Sequence, residues 1–438
     1  MRKFIIMCYL LSVSLTAQNH KILTLKESLI LGIENSKELK IARSKINALE
    51  AKVSEVNSQL LPQIKFQASY QRLSSIPPFE VSVPFLPLPI QISPTILDNF
   101  NLKLSLQQPL FTGFRLWSLK SIAENNYKAE TYDYQKEINE VALKIQTAFW
   151  NYYKAKQLKR LIEENLKQTQ RHLDDTKNYL ANQLATKNDV LKLEVLYSNI
   201  KLQLIEAENN IDITRSSFNK ILGLPLEVET DINVETIDTS FISYKLDELI
   251  NRSKEKRNEL KSLQYQVNAS NKAIVSANSG WYPSIYLMGN YYYSKPNPRI
   301  FPAQNKFKDT WDVGVILQWD IWNWGYTSSL AAQAEEQKIQ AQTALSQLKD
   351  AVELEVYQAY LSYNKAAEKI KVSRITVEQA DENYKTIQEK YNQQLATSTD
   401  LIDAEVSLLQ AKTNLTTSLV DFQLAKVVLL KAVGEKIY

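Results

Sequence analysis

Two stretches of this chain, 114–222 and 326–433, contain neither glycine nor proline, and glycines bound each of them: Gly113 and Gly223, then Gly325 and Gly434. Only 8 of the 438 residues are glycine, against roughly 7% in an average globular protein. Helix breakers are missing where a long helix would not tolerate them, so both stretches read as helical. Helices over 114 to about 180 and 326 to about 391 would each reach on the order of 100 Å at about 1.5 Å per residue. Ile138, Val141, Ala142, Ile145, Phe149 and Tyr152 follow a helical stripe, as do Val352, Val356, Ala359, Tyr360 and Tyr363. That periodicity predicts antiparallel coiled-coil packing.

The two stretches are copies. The phrase NQLATKNDVLKLEV at 182–195 returns as QQLATSTDLIDAEV at 393–406, 211 positions later. Leu184 matches Leu395, Thr186 matches Thr397, Asp189 matches Asp400 and Glu194 matches Glu405. Ile145, Ala148, Phe149 and Tyr152 map at the same offset onto Val356, Ala359, Tyr360 and Tyr363, and Gly223 onto Gly434. The chain is an internal duplication, and each half reads as one structural unit: 18–223 and 246–438, joined by an acidic linker over 224–245 without helical period.

The first 17 residues have the layout of an export signal. Arg2 and Lys3 precede an apolar run from Phe4 to Leu15, too short to span a bilayer, although Leu15 stands where a small residue is preferred for cleavage. Cys8 is the only cysteine, so the mature protein would have no disulfide and no cysteine metal site. No later segment has 18 consecutive apolar residues. A membrane, if entered, is entered by strands.

Each half is expected to run helix, hairpin, long helix, turn, helix, with the first helix at about Leu25 to Gln59 and its counterpart at about Leu246 to Asn278. The period then falls to two. Ile64, Phe66, Ala68 and Tyr70 alternate with Gln63, Lys65, Gln67, Ser69 and Gln71, and Leu102, Leu104 and Leu106 alternate with Asn101, Lys103, Ser105 and Gln107. Ile285 and Leu287, and Val313, Val315, Leu317 and Trp319, repeat the pattern. Strands are therefore expected at about 62–75, 99–111, 281–294 and 310–322, each with one apolar and one polar face. Their length suits a tilted transmembrane strand, and Trp281, Tyr282, Trp311, Trp319, Trp322 and Trp324 gather at the ends, where amphipathic rings meet lipid headgroups. An ordinary half-buried sheet on a helix is the alternative. Four strands cannot close a barrel, and an open edge is untenable in lipid, so the membrane reading requires an oligomer that pools strands. The proline-rich loop 72–98 and the shorter 295–309 would then be extracellular.

The repeated phrase falls where each long helix turns back. Thr186 with Asp189, and Thr397 with Asp400, fit a Thr-x-x-Asp cap at hairpin tips 184–189 and 395–400, leaving the preceding Leu-Ala free for contact. Capping does not account for Asp403, one turn beyond Asp400; its counterpart is Lys192, so only the second copy has an acidic pair. The net charge of +4, with lysines and acids alternating on helix faces, suits a solvated helical surface and offers no nucleic-acid footprint. His20 and His172 have no metal-ligand spacing, and no phosphate loop, nucleophile elbow or zinc motif appears. The sequence thus shows no enzyme, cofactor or metal site, and His172 reads as a helix-surface residue. A secreted or periplasmic coiled-coil scaffold without a pore remains the alternative to a channel.

The paired LATxxD turns, the strand entries NSQLLPQIKF (57–66) and NSGWYPSIYL (278–287), and the strand exits LQQPLFTGF (106–114) and LQWDIWNWGY (317–326) together resemble the TolC-family outer-membrane efflux proteins over essentially the whole mature sequence. The resemblance implies a mainly α protein with a β-barrel portion: a homotrimer with a 12-stranded barrel in outer-membrane lipid and a long helical tunnel in the periplasm. It implies docking to a periplasmic membrane-fusion (adaptor) protein and, through it, to an inner-membrane pump, as the exit duct of a tripartite efflux or type I secretion system. It places the periplasmic constriction on Asp400 and Asp403, whose three copies would disfavour anions and attract cations. It pairs Tyr391 with Asp189 in the closed state, and Ala396 stands where the family usually has a further arginine contact. Adaptor docking falls on Leu184, Ala185, Thr186, Leu395, Ala396 and Thr397. The linker 224–245 would pack round the middle of the tunnel, as a small belt since only four residues follow Gly434.

Overall fold

The computed structural model describes residues 21–74, 77–82, 84, 85, 87–234 and 236–438. The export-signal reading of 1–17 lies outside the described residues. The chain divides into two compact units. One is built from the residues up to Ala42 with Tyr134–Asn258 and Lys349–Tyr438, the other from Arg43–Asp133 and Glu259–Leu348.

In the first unit, β1 (Lys21–Leu23) pairs in parallel with β6 (Thr230–Ile232), so the linker is tied to the start of the described chain. Next to β1 comes α1 (Leu25–Asn35), opened by a capping box in which Thr24 and Glu27 satisfy each other's backbone amides. The long helices α3 (Arg115–Ala181) and α7 (Tyr326–Asn392) each run 67 residues without interruption, as the missing breakers require. Each turns back into a shorter helix, α4 (Lys187–Leu222) and α8 (Ser398–Ala432). The apolar stripe is the core: Val141, Ile145, Phe149 and Tyr152 of α3 pack with Phe218 and Leu222 of α4, with Leu23 and with Val420 of α8. Each such side chain, removed from water, contributes roughly 2 kcal/mol. Gly32 lets α1 lie directly on α3, since a Cβ there would come within 2.5 Å of Ile145 Cδ1.

The first helix of each half is not continuous, contrary to the expectation of single helices over 25–59 and 246–278. α1 stops before Ser36 and α2 (Lys37–Ser58) follows; α5 (Leu246–Lys256) stops before Arg257 and α6 (Asn258–Ala277) follows. Neither break contains a glycine or proline. Both are met by a distant helix end, and at the first a local cap also starts the next helix. Asn35 Nδ2 donates to the carbonyl of Leu222 at 2.9 Å, and Ser36 Oγ accepts from the amide of Leu39 at 3.2 Å. The buried Arg257 donates to the carbonyl of Ala432 at 3.2 Å and pairs with Glu355. Each break therefore receives the end of a helix from the same half, and the pieces that meet are equivalent in the two repeats.

In the second unit, β2 (Gln63–Arg72), β5 (Asp98–Thr112), β7 (Ser284–Lys295) and β8 (Lys308–Gln318) form one antiparallel sheet in that order. The loop between β2 and β5 carries a small hairpin, β3 (Phe79–Val81) with β4 (Ile90–Ser93). The strand expected from 281 begins at Ser284, because Asn278–Trp281 forms a 3-10 turn. The strand expected to run to 322 stops at Gln318, short of the turn around Trp324 and Gly325, both at positive φ.

Register places every apolar set on one face. Ile64 pairs with Leu106 and Phe66 with Leu104; Leu104 pairs onward with Tyr291, and Tyr291 with Trp311. Val313, Val315 and Leu317 continue this face along β8. Opposite residues on paired strands point the same way, so the sheet presents one continuous apolar surface. It is not covered: these side chains are 37–70% exposed. Among the described residues no helix is long and apolar enough to cross a membrane.

Candidate functional site: the two helical hairpin tips

Both tips are the same five-residue device. Gln183 and Gln394 adopt left-handed backbone, φ 63° and 65°, and end α3 and α7. The amide of Leu184 donates to Tyr179 O at 2.8 Å and that of Gln183 to Leu180 O at 2.9 Å; Leu395 to Lys390 O and Gln394 to Tyr391 O repeat these at 2.8 and 2.9 Å. This paired closure satisfies the orphan carbonyls of a helix end. Two residues later the next helix is capped. The Thr186 amide donates to Asp189 Oδ2 at 3.0 Å and the Asp189 amide to Thr186 Oγ1 at 3.2 Å; Thr397 and Asp400 give 2.9 and 3.2 Å. The shared phrase is thus the instruction to stop one helix and start another. The threonine hydroxyl and amide hold both aspartate carboxyls below the usual value of 3.8.

The apolar residues before the caps point outward: Leu184 is 55% and Leu395 72% exposed. Ala185 is intermediate, while Ala396 packs back onto the buried cluster of Tyr384, Tyr391, Leu401, Ala404 and Leu408. Lys192 donates to Thr399 Oγ1 at 2.9 Å, joining the two tips of one chain. Asp400 and Asp403 are exposed on α8.

Tyr391 and Asp189 are not hydrogen-bonded to each other. The Tyr391 hydroxyl lies 2.7 Å from Thr176 Oγ1, and Asp189 is committed to its own cap. Burial raises the phenol's pKa, the Thr176 contact opposes this, and the negative charge of Asp189 adds to the rise.

One constellation was not foreseen. Glu405, the counterpart of Glu194 in the repeated phrase, is 2% exposed. Its Oε1 accepts from Asn165 Nδ2 at 2.8 Å and from Thr169 Oγ1 at 2.6 Å, and its Oε2 lies 3.2 Å from His172 Nδ1. A carboxylate only accepts, which assigns Nδ1 as the protonated nitrogen. The other ring nitrogen faces the Tyr384 hydroxyl at 3.3 Å. Burial and then the charge of Glu405 push the Tyr384 phenol up to about 12, so it keeps its proton. His172 is therefore no surface residue: it is 6% exposed, held between a carboxylate and a phenol. Glu194, by contrast, is half-exposed and pairs with Lys177 at 3.2 Å. A signal was present in the sequence. Asn165, Thr169, His172 and Thr176 recur at spacings of four, three and four along α3, a polar seam that follows the apolar stripe ending at Tyr152.

The aromatic residues at the strand ends are exposed as well: Trp281 and Tyr282 before β7, Trp319, Trp322 and Trp324 after β8, and Trp311 near its other end. Since Ser284 pairs with Gln318, the first five lie at one end of the sheet and Trp311 toward the other. Among the described residues no group of three or more His, Cys, Asp or Glu side chains could hold a metal ion.

The sequence matches the outer membrane efflux protein family over residues 31–224 and 249–435, one span in each repeat. The outer membrane protein TolC of Vibrio cholerae serotype O1 is 21% identical over 397 residues, 90% of this chain and 87% of that protein. Among solved structures, CusC, described in terms of folding and transmembrane channel formation, superposes with a TM-score of 0.79 at 15% identity, over 94% of this chain and 92% of that one. The outer membrane protein VceC of Vibrio cholerae gives a TM-score of 0.76 at 16% identity, over 94% and 97% of the two chains. The Campylobacter jejuni CmeC outer membrane channel gives 0.75 at 16%, over 94% and 85%.

Proposed function

The chain belongs to the outer membrane efflux protein family, an outer-membrane protein reaching into the periplasm, and on that premise we propose that it is the exit duct of a tripartite efflux or type I secretion system. Three copies would pool their four-stranded sheets into a 12-stranded barrel, and α3, α4, α7 and α8 of each would form the periplasmic tunnel. The observation that carries this reading is the uncovered apolar face running from Ile64 through Leu104 and Tyr291 to Trp311. A patch of this extent marks an interaction surface, and its apolar outward face with aromatic residues at the strand ends supports lipid as the partner. Trp311 and Trp319 are eight residues apart, roughly 26 Å of strand, or about 20 Å of depth at a tilt near 40°. Among the described residues β2 and β8 pair only inward, with β5 and β7, and leave their outer sides open; lipid tolerates no open edge, so closure falls to neighbouring copies.

The tips would close the tunnel and meet the adaptor. Leu184, Ala185, Thr186, Leu395, Ala396 and Thr397 would form the docking surface, with Leu184 and Leu395 as its exposed apolar points. Asp400 and Asp403 would line the constriction, three copies of each, and favour cations over anions. The closed-state contact of Tyr391 would run to Thr176 of the same chain, with Asp189 acting on it only through its charge. Expression followed by membrane fractionation tests the whole reading. The protein should require detergent for extraction and migrate as a heat-modifiable trimer that conducts in planar bilayers; recovery as a soluble, non-conducting protein would refute it.

A further inference from the structure

Glu405 shares a helix with the acidic pair, and their spacing fixes how they are related. At about 100° per residue, Asp403 lies about 160° round α8 from Glu405 in one direction and Asp400 about 140° in the other. The two aspartates thus share the face opposite Glu405, and both are exposed while Glu405 is buried. Leu401, Ala404 and Leu408 flank Glu405 on the buried side. A wholly apolar seam of this kind would accept α8 at neighbouring rotations with little penalty. A carboxylate does not. Asn165, Thr169 and His172 present their donors to it at one setting, and any other leaves a buried charge unpaired. A single polar residue in an apolar seam specifies register for the same reason.

The first copy lacks both features together. Glu194 is solvated beside Lys177, and Lys192 stands in place of Asp403. Its seam on the neighbouring long helix also differs: the counterparts of Asn165, Thr169, His172 and Thr176 are Thr376, Ala380, Asn383 and Ile387. Anchor and acidic pair occur in one copy and are missing from the other. We infer that Glu405 is a positioning residue: gripped by Asn165, Thr169 and His172, with His172 braced by Tyr384, it sets the rotation of α8 that turns Asp400 and Asp403 toward the pore. This rests on the reading of that pair as pore-lining.

The test compares cation and anion permeability. The purified channel, reconstituted in planar bilayers, has its reversal potential measured across a KCl gradient for the unaltered protein, the double variant Asp400→Asn/Asp403→Asn, Glu405→Leu and Glu405→Gln. Glu405→Leu should lower the cation-to-anion ratio toward that of the double variant although both aspartates are present. Glu405→Gln keeps an acceptor for Asn165 and Thr169 and should fall between. A merely structural role would change stability or total conductance and leave the ratio alone. If the double variant keeps the original ratio, the pore-lining reading fails. If the double variant loses selectivity while Glu405→Leu retains it, that reading stands and the positioning role is overturned. Should Glu405→Leu not assemble, His172→Phe removes one donor at similar volume and carries the same expectation and the same refutation.

Discussion

The hydroxyl of Tyr391 lies 2.7 Å from Oγ1 of Thr176, which in turn donates to the carbonyl of His172 at 2.8 Å. Both side chains are buried, and the contact ties α7 to α3 one turn from the Glu405 cluster. The two partners are not equivalent. Tyr391→Phe removes one hydroxyl and leaves Thr176 bonded to the backbone, so it should cost about 1 kcal/mol. Thr176→Val leaves a phenol buried without a partner and should cost about 1–3 kcal/mol. Thermal unfolding of the purified protein, followed by loss of helical ellipticity, should rank Thr176→Val below Tyr391→Phe; the reverse order would show that Tyr391 has another partner.

The two capping boxes make the tips acid-sensitive. Asp189 and Asp400 have pKa values lowered first by the hydroxyls of Thr186 and Thr397 and then by their amides. A carboxyl depressed on folding contributes stability that is present above its unfolded value and lost as pH falls through the folded one. The tips should therefore be firm at neutral pH and fray below about pH 4. Hydrogen exchange at 187–190 and 398–401, corrected for intrinsic rates, should accelerate over that range. Thr186→Ala and Thr397→Ala should each give the frayed behaviour at neutral pH, with a local loss of about 1 kcal/mol. Protection that is flat from pH 7 to pH 3 would refute the account.

Much of this was legible in the sequence, and what was legible was local. The long helices followed from missing breakers, the strand faces from Ile64, Phe66 and Leu104 alternating with polar neighbours, and the tips from Thr-x-x-Asp. What was not legible depends on partners far away in the chain. The helices break at Ser36 and Arg257 where Leu222 meets Asn35 and Ala432 meets Arg257, partners 187 and 175 residues away. The burial of His172 depends on Glu405, 233 residues on. Three-residue β1 has too little pattern to announce its pairing with β6. Periodicity reports which face of an element is apolar and says nothing of which distant carbonyl will end it.

The lipid-facing assignment makes a paired prediction on one strand. Phe66 and Gln67 are neighbours on β2 and point to opposite faces. Phe66→Lys places a charge at the level of the apolar band and should cost about 2–4 kcal/mol, abolishing or sharply reducing the heat-modifiable form in the outer membrane. Gln67→Lys adds the same charge on the polar face and should assemble normally. Equal tolerance of both would mean that the exposed face does not meet lipid.

Three glycines at positive φ separate backbone strain from crowding. Gly325, at φ 80°, has only Ser328 Oγ at 3.5 Å from the position of an added Cβ. Gly223, at φ 74°, would put that carbon 2.7 Å from Asn35 Cβ, and Gly434, at φ 85°, would put it 2.9 Å from both Arg257 N and Lys256 C. Replacing any of them by alanine incurs the left-handed penalty, about 1–2 kcal/mol. At Gly325 that should be nearly the whole effect. At Gly223 the added carbon meets a side chain near its root, so α4 must retreat from the end of α1, and the loss should be larger. At Gly434 it meets backbone at the break between α5 and α6, where Arg257 holds the last carbonyls of α8; nothing there yields without opening that joint. Unfolding midpoints should therefore fall least for Gly325→Ala and most for Gly434→Ala. Three equal losses would mean that conformational strain alone keeps these glycines, and that the helix breaks at Ser36 and Arg257 are not braced by the helix ends that meet them.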